Sequence, residues 1–371
     1  MHETDSKLAT VVQALMEKLD SGVRKFIVRH VEQHPRDIAR LTAGRFKISR
    51  VAVGRYLRDL TKDGILVATG VTKDRFYTLG RPLDEVIQLE VTPALNEDDI
   101  WRERIAPLLR GLPENVFLIC SWGSTEMVNN VIDHSQSKDL IIQVVVTAIS
   151  IEIAVIDHGV GIFNNIQQKM GYGDPRHALL ELTKGKLTTD KERHSGYGIF
   201  FTSRAFDTFS ISSGTLFFLR QNEGEQSSIE TRGQEPFAGT AIRMKISLNA
   251  TQTIQQVLDR YTTDFDEGFT RTHVPLSLAK YEGEQLISRS QASRVLARAE
   301  KFSELFLDFK DIKMIGQAFA DEIFRVFPQS HPETRIVHIG ANKEVEKMIR
   351  LAKAGLKQDE KADAKTEKAE S

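Results

Sequence analysis

Four polar side chains with distinct chemistry lie in the stretch STEMVNNVIDHS, residues 124–135. Glu126, Asn130 and His134 are spaced four residues apart, so a helix places them on one side, with Asp133 beside that stripe. A carboxylate here can act as a general base, and amide and carboxylate oxygens suit Mg²⁺, which prefers oxygen ligands. The apolar residues between them predict that the other side of the helix faces a core.

A second group of residues follows in IAVIDHGVGI, where an apolar strand is predicted to end at Asp157. Gly159 and Gly161 come just after this carboxylate and let the backbone approach another group closely. A carboxylate can accept hydrogen bonds from a flat exocyclic amine, such as N6 of adenine. The pattern therefore favours recognition of a nucleobase.

Further glycines precede a predicted helix and a predicted strand. In HSGYGIFFTSRAF, Gly196 and Gly198 come before an apolar helix, and backbone N–H groups at a helix N-terminus can hold a phosphate. In FAGTAIRMKI, Gly239 and Thr240 begin a strand. A lone Gly-x-Gly is common by chance, but four such groups in this order indicate one nucleotide site.

The segments that position these residues alternate between strand and helix patterns. Residues 82–100 form a connector with some strand character, and residues 163–195 have weak periodicity and many Gly, Lys and Asn residues, which predicts a mobile loop with short helices. Apolar, β-branched runs predict strands at IIQVVVTA, IEIAVIDHG, FSISSGTLFFLR and TAIRMKISL.

This order of motifs resembles the GHKL ATPase superfamily of DNA gyrase, Hsp90, histidine kinases and MutL, over residues 90–250. The resemblance implies an α/β-sandwich (Bergerat) domain that binds ATP and Mg²⁺. Its N box is matched by Glu126, Asn130 and Asp133/His134, and its G1 box by Asp157, Gly159 and Gly161. Its G2 box is matched by Gly196 and Gly198, and its Gly-Thr motif by Gly239 and Thr240.

The resemblance also implies a role for each residue. Asn130 would give an oxygen ligand to Mg²⁺, and Glu126 would be the catalytic residue that holds or polarises a water near the γ-phosphate. Asp133 and His134 would reach Mg²⁺-bound water, phosphate or ribose, and Asp157 would bind adenine. The remaining cofactor-binding residues would be Gly159, Gly161, His194, Gly196, Gly198 and Thr240.

The segment between the glycine boxes corresponds to the ATP lid of that superfamily. Lys184, Lys186, Arg193 and His194 could close on the phosphates, and His194 is the best placed because it directly precedes the G2 glycines. The alternative for each is a solvated loop charge.

Residues 1–85 are predicted to form a winged helix-turn-helix with an additional helix over residues 6–20. Residues 21–81 contain 14 Lys/Arg against 5 Asp/Glu. Two or three short helices lead into two strands, ILVATG and RFYTLG, which would form the wing. The buried side of the recognition helix is predicted to comprise Val51, Val53, Tyr56, Leu57 and Leu60.

The positive surplus of this module favours DNA as a partner, because a recognition helix enters the major groove while cations on the wing meet phosphates. A module for protein–protein contact or dimerisation is the alternative. The residues predicted to face DNA are Lys47, Ser49, Arg50, Arg55, Arg58, Lys73 and Arg75.

Residues 268–355 are predicted to form a small α/β domain, in which LFLDFKDIKMIGQAFADEIFRVF resembles the STAS-like (anti-sigma-factor-antagonist-like) fold. In anti-sigma antagonists a phosphorylatable Ser or Thr begins the helix after this strand, whereas residues 316–318 carry no hydroxyl. We therefore expect either docking to a protein partner or an intramolecular regulatory role. The Phe319–Phe327 stripe is predicted to be core, and the tail, residues 356–371, to be disordered.

Bulk composition describes a multidomain α+β protein. The chain has 371 residues, 40% of them hydrophobic and 27% charged, which is typical of globular proteins with two or three domains. No run approaches the roughly 18–20 apolar residues that span a bilayer, and the polar N-terminus is not typical of a signal peptide, so we expect a cytoplasmic protein. Cys120, the only cysteine, excludes an intramolecular disulfide and is predicted to be buried.

These expectations favour a regulator of transcription or signalling that binds and hydrolyses ATP, in which Mg²⁺-ATP controls the basic module and the STAS-like domain. A serine protein kinase of the anti-sigma type is one alternative. A histidine kinase is less favoured, because the nearest candidate phosphoacceptors, His30 and His34, fall within the basic module. A nucleotide-binding scaffold without turnover and a homodimer both stay open.

Overall fold

A computed structural model of the chain describes residues 18–19, 21–71, 74–187, 196–223, 226–231, 236–262, 269–280 and 284–354. Several predictions fall outside these residues: most of the helix over residues 6–20, the tail at residues 356–371, and the roles of Lys73, Arg193 and His194.

Helices occur in both the N-terminal and the C-terminal parts of the described chain. The α-helices are α1 Gly22–His30, α2 Ile38–Phe46, α3 Arg50–Lys62, α4 Glu97–Ile100, α5 Glu114–Asn130, α6 Ile162–Met170, α7 Pro175–Lys184, α8 Gly198–Ala205, α9 Ile254–Tyr261, α10 Arg289–Leu296, α11 Gln317–Asp321, α12 Phe327–Ser330 and α13, residues 343–354. Shorter π and 3₁₀ segments are Trp101–Ile105, Ala106–Leu109, Val131–Ser135, Leu276–Ala279, Ala299–Lys301 and Glu322–Val326.

Strands form three sheets in the described residues, so the fold is mixed α and β. The strands are β1 Leu66–Thr69, β2 Phe76–Leu79, β3 Leu83–Glu90, β4 Asp139–Val146, β5 Ser150–Asp157, β6 Thr208–Gly214, β7 Leu216–Gln221, β8 Gln226–Thr231, β9 Phe237–Ser247, β10 Arg271–Pro275, β11 Glu304–Asp308 and β12 Arg335–Ile339. Their order is β1-β2 in the first sheet, β3-β4-β5-β9-β6-β7-β8 in the second and β10-β11-β12 in the third.

Contacts divide the chain into two compact units, which we describe separately. The first unit comprises Met1–Gly159, Ala205–Phe209 and Ala241–Thr253. The second unit comprises Val160–Arg204, Ser210–Thr240 and Ile254–Ser371. The predicted domain limits, which follow sequence motifs instead of contacts, stay predictions.

The N-terminal module of the first unit packs helices α1 to α3 around one core. Val53, Leu57 and Leu60 of α3 are buried there together with Ile27 of α1. Strands β1 and β2 follow as an antiparallel hairpin. This is the element order predicted from the sequence, and the winged-helix assignment itself stays a prediction.

Strands β3, β4 and β5 of the first unit form a regular antiparallel ladder. Each register position from Leu140↔Asp157 to Val146↔Ile151 is paired between β4 and β5. Alternate residues of both strands are fully buried, as expected when one face of a sheet meets a core. Asp157 lies on this buried face, at the very end of β5, and α5 packs against β5.

Two strand and helix predictions need correction. FSISSGTLFFLR is not one strand: Gly214 adopts a φ of 56°, a left-handed turn that separates β6 from β7. The helix predicted at SQASRVLARAEKF ends at Leu296, and Arg298 then adopts a φ of 61°. Residues 163–195 were predicted as a mobile loop with short helices, and their described part contains most of α6 and all of α7.

The C-terminal residues of the second unit form a parallel three-stranded sheet with helices. Strand β11 is central and pairs in parallel with β10 and β12. Ser288 begins α10 with a capping box to Gln291, which fixes the start of that helix. The predicted core stripe is confirmed, since Phe319, Ile323, Phe324 and Phe327 are buried. No described helix has the length and apolar character required to cross a membrane.

Candidate functional site

Helix α5 carries the first group of candidate residues in the first unit. Met127 and Val128 are buried, while Glu126 and Asn130 are half-buried on the other side, as the sequence predicted. Gly123 lets the helix approach its neighbours closely, since a Cβ there would lie 2.5 Å from the ring of Phe206.

The end of this helix differs from the predicted regular stripe. Residues Val131–Ser135 form a π-helical turn, in which backbone hydrogen bonds run between residues i and i+5 instead of i and i+4. Asp133 is exposed and His134 is half-buried there. Single π-turns are frequent at functional sites because they redirect side chains.

The turn after β5 packs closely against the end of this helix. A Cβ on Gly159 would lie 1.9 Å from the carbonyl oxygen of Ser135, so only glycine permits this contact. Asp157 is 3% exposed, and its Oδ1 accepts a hydrogen bond from the Gly159 backbone N–H at 2.8 Å. The carboxylate is thus held at a fixed place between a strand end and a helix end.

Three further polar residues, Ser137, Asp139 and His158, stabilise the same turn and were not predicted from the sequence. The Ser137 hydroxyl accepts from the His158 backbone N–H at 3.1 Å and lies 2.9 Å from Oδ1 of Asp139. The His158 ring contacts the same carboxylate through Nδ1 at 2.6 Å. These contacts lower the pKa of the Asp139 carboxyl below its ordinary value, and the hydrogen bond with His158 contributes most to this shift. The sequence feature that could have identified them is the pair of polar residues Ser137 and Asp139, which follows the candidate helix.

In the second unit, Gly161 converges with the motif that contains Gly239 and Thr240. Gly161 has a φ of 79°, and a Cβ there would lie 2.7 Å from Oγ of Ser213. Ser213 donates to the carbonyl of Gly239 at 2.8 Å, and the Thr240 hydroxyl accepts from the Ile162 backbone N–H at 3.0 Å. The predicted residues Gly161 and Thr240 therefore lie at one place, the start of α6.

The remaining glycines lie at the start of α8 in the second unit. Gly196, with a φ of 73°, packs against the backbone of Leu187, where a Cβ would be 2.6 Å from the carbonyl oxygen. Gly198 is the first residue of α8. A side chain at residue 196 would push these two backbone segments apart.

Lys184 does not have the phosphate-binding position that was suggested for it. Its side chain is fully buried and forms an ion pair with the fully buried Glu181. Its Nζ also donates to the carbonyl of Ala297 at 2.8 Å, and Arg298 binds the other Glu181 oxygen at 3.0 Å. Burial lowers the pKa of Lys184. Lys186 likewise donates to the carbonyl of Lys301 at 2.6 Å, so both lysines have structural partners.

The surface predicted to face DNA is exposed in the N-terminal module. Ser49 has a further role, because its Oγ accepts from the Ala52 backbone N–H at 3.1 Å and caps α3. Val51 was wrongly predicted to be buried: it is 71% exposed, two residues before Val53 and so on the opposite side of the helix. The other exposed residues of this surface are Lys47, Arg50, Arg55, Arg58 and Arg75.

Comparison with known proteins identifies one part of the chain. Residues 291–346 match the model of a family described as a STAS-like domain of unknown function (DUF4325). The matched range covers most of α10 and contains strands β11 and β12. No curated protein matches the chain. The C-terminal part of the protein is thus a STAS-like domain, as its sequence predicted.

Proposed function

We propose that this protein is an ATP-binding regulator in which Mg²⁺-ATP controls a DNA-binding module and the STAS-like domain. The observation that carries this proposal is the junction between α5 and the turn after β5. A buried carboxylate, Asp157, is fixed there beside the end of a helix that bears Glu126 and Asn130. A polar group that is held in place at a strand end beside a helix end can fix the orientation of a bound ligand.

The residues present suit ATP and Mg²⁺. Amide and carboxylate oxygens, which Mg²⁺ prefers, are half-buried at Asn130 and Glu126. Asp157 would bind the exocyclic amine of adenine, Asn130 would bind Mg²⁺, and Glu126 would hold the attacking water. Asp133 would bind water of the metal. When bound, Mg²⁺ neutralises charge on the phosphates.

Replacing Glu126 tests whether the protein turns ATP over. Glu126→Ala should lower the rate of phosphate release from γ-labelled ATP by about 10²–10⁴-fold, the usual contribution of a general base, with little change in affinity. Glu114→Ala is the matched control, because Glu114 is exposed at the other end of the same helix. An unchanged rate in Glu126→Ala would remove Glu126 from this role.

The same labelled nucleotide separates hydrolysis from phosphotransfer. Label released as phosphate supports an ATPase, and label on protein supports a serine kinase. Helix α11 begins with Gly316 at its N-cap, followed by Gln317 and Ala318, so it offers no hydroxyl acceptor within this chain. A kinase activity would therefore act on a partner protein, and the STAS-like domain would serve for docking.

The DNA-binding part of the proposal rests on the exposed cations of α3. Arg50→Ala combined with Arg55→Ala should weaken binding to duplex DNA and lower the slope of log K against log salt by about 2, one for each lost phosphate contact. Lys343→Ala with Lys347→Ala, two exposed cations of α13, is the control. Absence of any mobility shift by the wild type at low salt would refute DNA binding.

A further inference from the structure

Strand β3 is the last strand of its sheet and has one open edge in the described part of the chain. It pairs with β4 over all eight residues, from Leu83↔Val146 to Glu90↔Asp139. No strand of the described residues pairs with its other side. The strand at the opposite end, β8, lies against the short helix Leu276–Ala279 of its own unit. An open edge presents N–H and C=O groups that can pair with another strand.

Strand β3 lacks most of the features that protect an open edge. Short length, bulges, Pro and Lys are the usual protective features. The strand, LDEVIQLE, is long for an edge, contains no Pro or Lys, and keeps a regular register with β4. Val86 at its centre is 50% exposed. Its three acidic residues are the only charges, and they restrict which partner strand can pair with it.

Symmetry limits how two copies of this strand can pair. Antiparallel edge strands of identical sheets are related by a two-fold axis perpendicular to the sheet, which places one residue opposite its own copy. Only axes at Val86 or Ile87 overlap seven residues of each strand. An axis at Ile87 would place Asp84 opposite Glu90 at both ends, and like charges directly opposite each other destabilise a strand pair.

An axis at Val86 avoids this repulsion and forms complementary pairs. Val86 then lies opposite Val86, Leu83 opposite Leu89, and Asp84 opposite Gln88, whose amide can donate to a carboxylate. No two acidic residues oppose each other in this register. The strand is thus complementary to itself in one register.

We propose that β3 pairs with β3 of a second copy of this chain, antiparallel and with Val86 opposite Val86, so that the two sheets become continuous. The pairing satisfies backbone groups of both edges and covers the exposed valine. It requires neither nucleotide nor DNA, so its test is independent of the proposed function.

Charged substitutions at Val86, the residue on the proposed two-fold axis, test the interface. In sedimentation of the full-length protein, the wild type should have twice the monomer mass, and Val86→Lys and Val86→Glu should each be monomers, because like charges would meet at the axis. An equimolar mixture of the two variants should recover the dimer. Val71→Lys, at a valine that is 70% exposed elsewhere, should leave the dimer intact.

Circular dichroism that matches the wild type establishes that each variant is folded. A wild type that sediments as a monomer at about 100 µM, a concentration where micromolar contacts are populated, would overturn the proposal. A Val86→Lys variant that stays dimeric would also overturn it.

Cysteine crosslinking tests the register. Facing residues of an antiparallel pair have Cα atoms about 4.5–5.5 Å apart, within the range of a disulfide. Val86→Cys should form an intermolecular disulfide under mild oxidation, and Ile87→Cys should not. The native Cys120 should not interfere, because burial raises the pKa of its thiol to about 12. Faster crosslinking of Ile87→Cys than of Val86→Cys would contradict this register.

Discussion

Gly159→Ala should destabilise the protein and weaken its binding of Mg²⁺-ATP together. The added Cβ would lie 1.9 Å from the carbonyl oxygen and 2.7 Å from the carbonyl carbon of Ser135, and 3.0 Å from the backbone nitrogen of Ser137. These are backbone atoms, so no side-chain rotation relieves the overlap and the turn must move away from the helix end. Overpacking of this kind lowers the free energy of unfolding by about 1–3 kcal/mol.

The effect on affinity follows from the same displacement. The Gly159 N–H holds Oδ1 of Asp157, so a shifted turn misplaces the carboxylate that is proposed to bind adenine. Chemical denaturation followed by circular dichroism measures the first effect, and calorimetric titration measures the second.

Gly44→Ala is the matched control. Gly44 lies within α2, and nothing approaches the position of its Cβ within 4 Å. Alanine should therefore stabilise that helix by about 0.5–1 kcal/mol without affecting nucleotide affinity. If Gly159→Ala proves as stable as Gly44→Ala, the close contact between the turn and the helix end is wrong.

Asp157→Asn should lower the affinity for Mg²⁺-ATP by about 10–100-fold. Its amide oxygen can still accept from the Gly159 N–H, so the turn should keep its shape. Its amide nitrogen, however, would present hydrogens to the exocyclic amine of adenine, which also donates. Loss of a hydrogen bond to a charged group costs about 1.5–3 kcal/mol, and each 1.4 kcal/mol is tenfold in affinity.

Asp139→Asn separates adenine recognition from a general effect of charge. Asp139 contacts Ser137 and His158 beside the same turn, but it is more exposed than Asp157. Its variant removes the same negative charge and should change the affinity by less than about threefold, a difference of under 1 kcal/mol. Equal losses in both variants would contradict a specific role for Asp157.

Much of the architecture followed from periodicity in the sequence. Apolar, β-branched runs predicted β4 and β5, and the end of the second run predicted that β5 ends at Asp157. Spacing of Val53, Leu57 and Leu60 marked the buried side of α3. These patterns are predictable because a buried face must repeat with the period of its element.

Other features depend on contacts between residues far apart in sequence. The burial of Lys184 requires Arg298 and the carbonyl of Ala297, more than one hundred residues away, and nothing near Lys184 marks it as a core residue. The convergence of Ser213 with Gly161 and Gly239 likewise joins three separate segments. The π-turn after Asn130 has no known local signal in this sequence, so a regular α-helix was predicted through His134.

Calorimetric titration of the full-length wild type with Mg²⁺-ATP tests the central proposal most directly. The proposal predicts saturable heat with one nucleotide bound per chain, and weaker binding when EDTA removes the metal, because Asn130 is proposed to act through Mg²⁺. No heat and no nucleotide retained on equilibrium dialysis, in protein that circular dichroism shows to be folded, would contradict it.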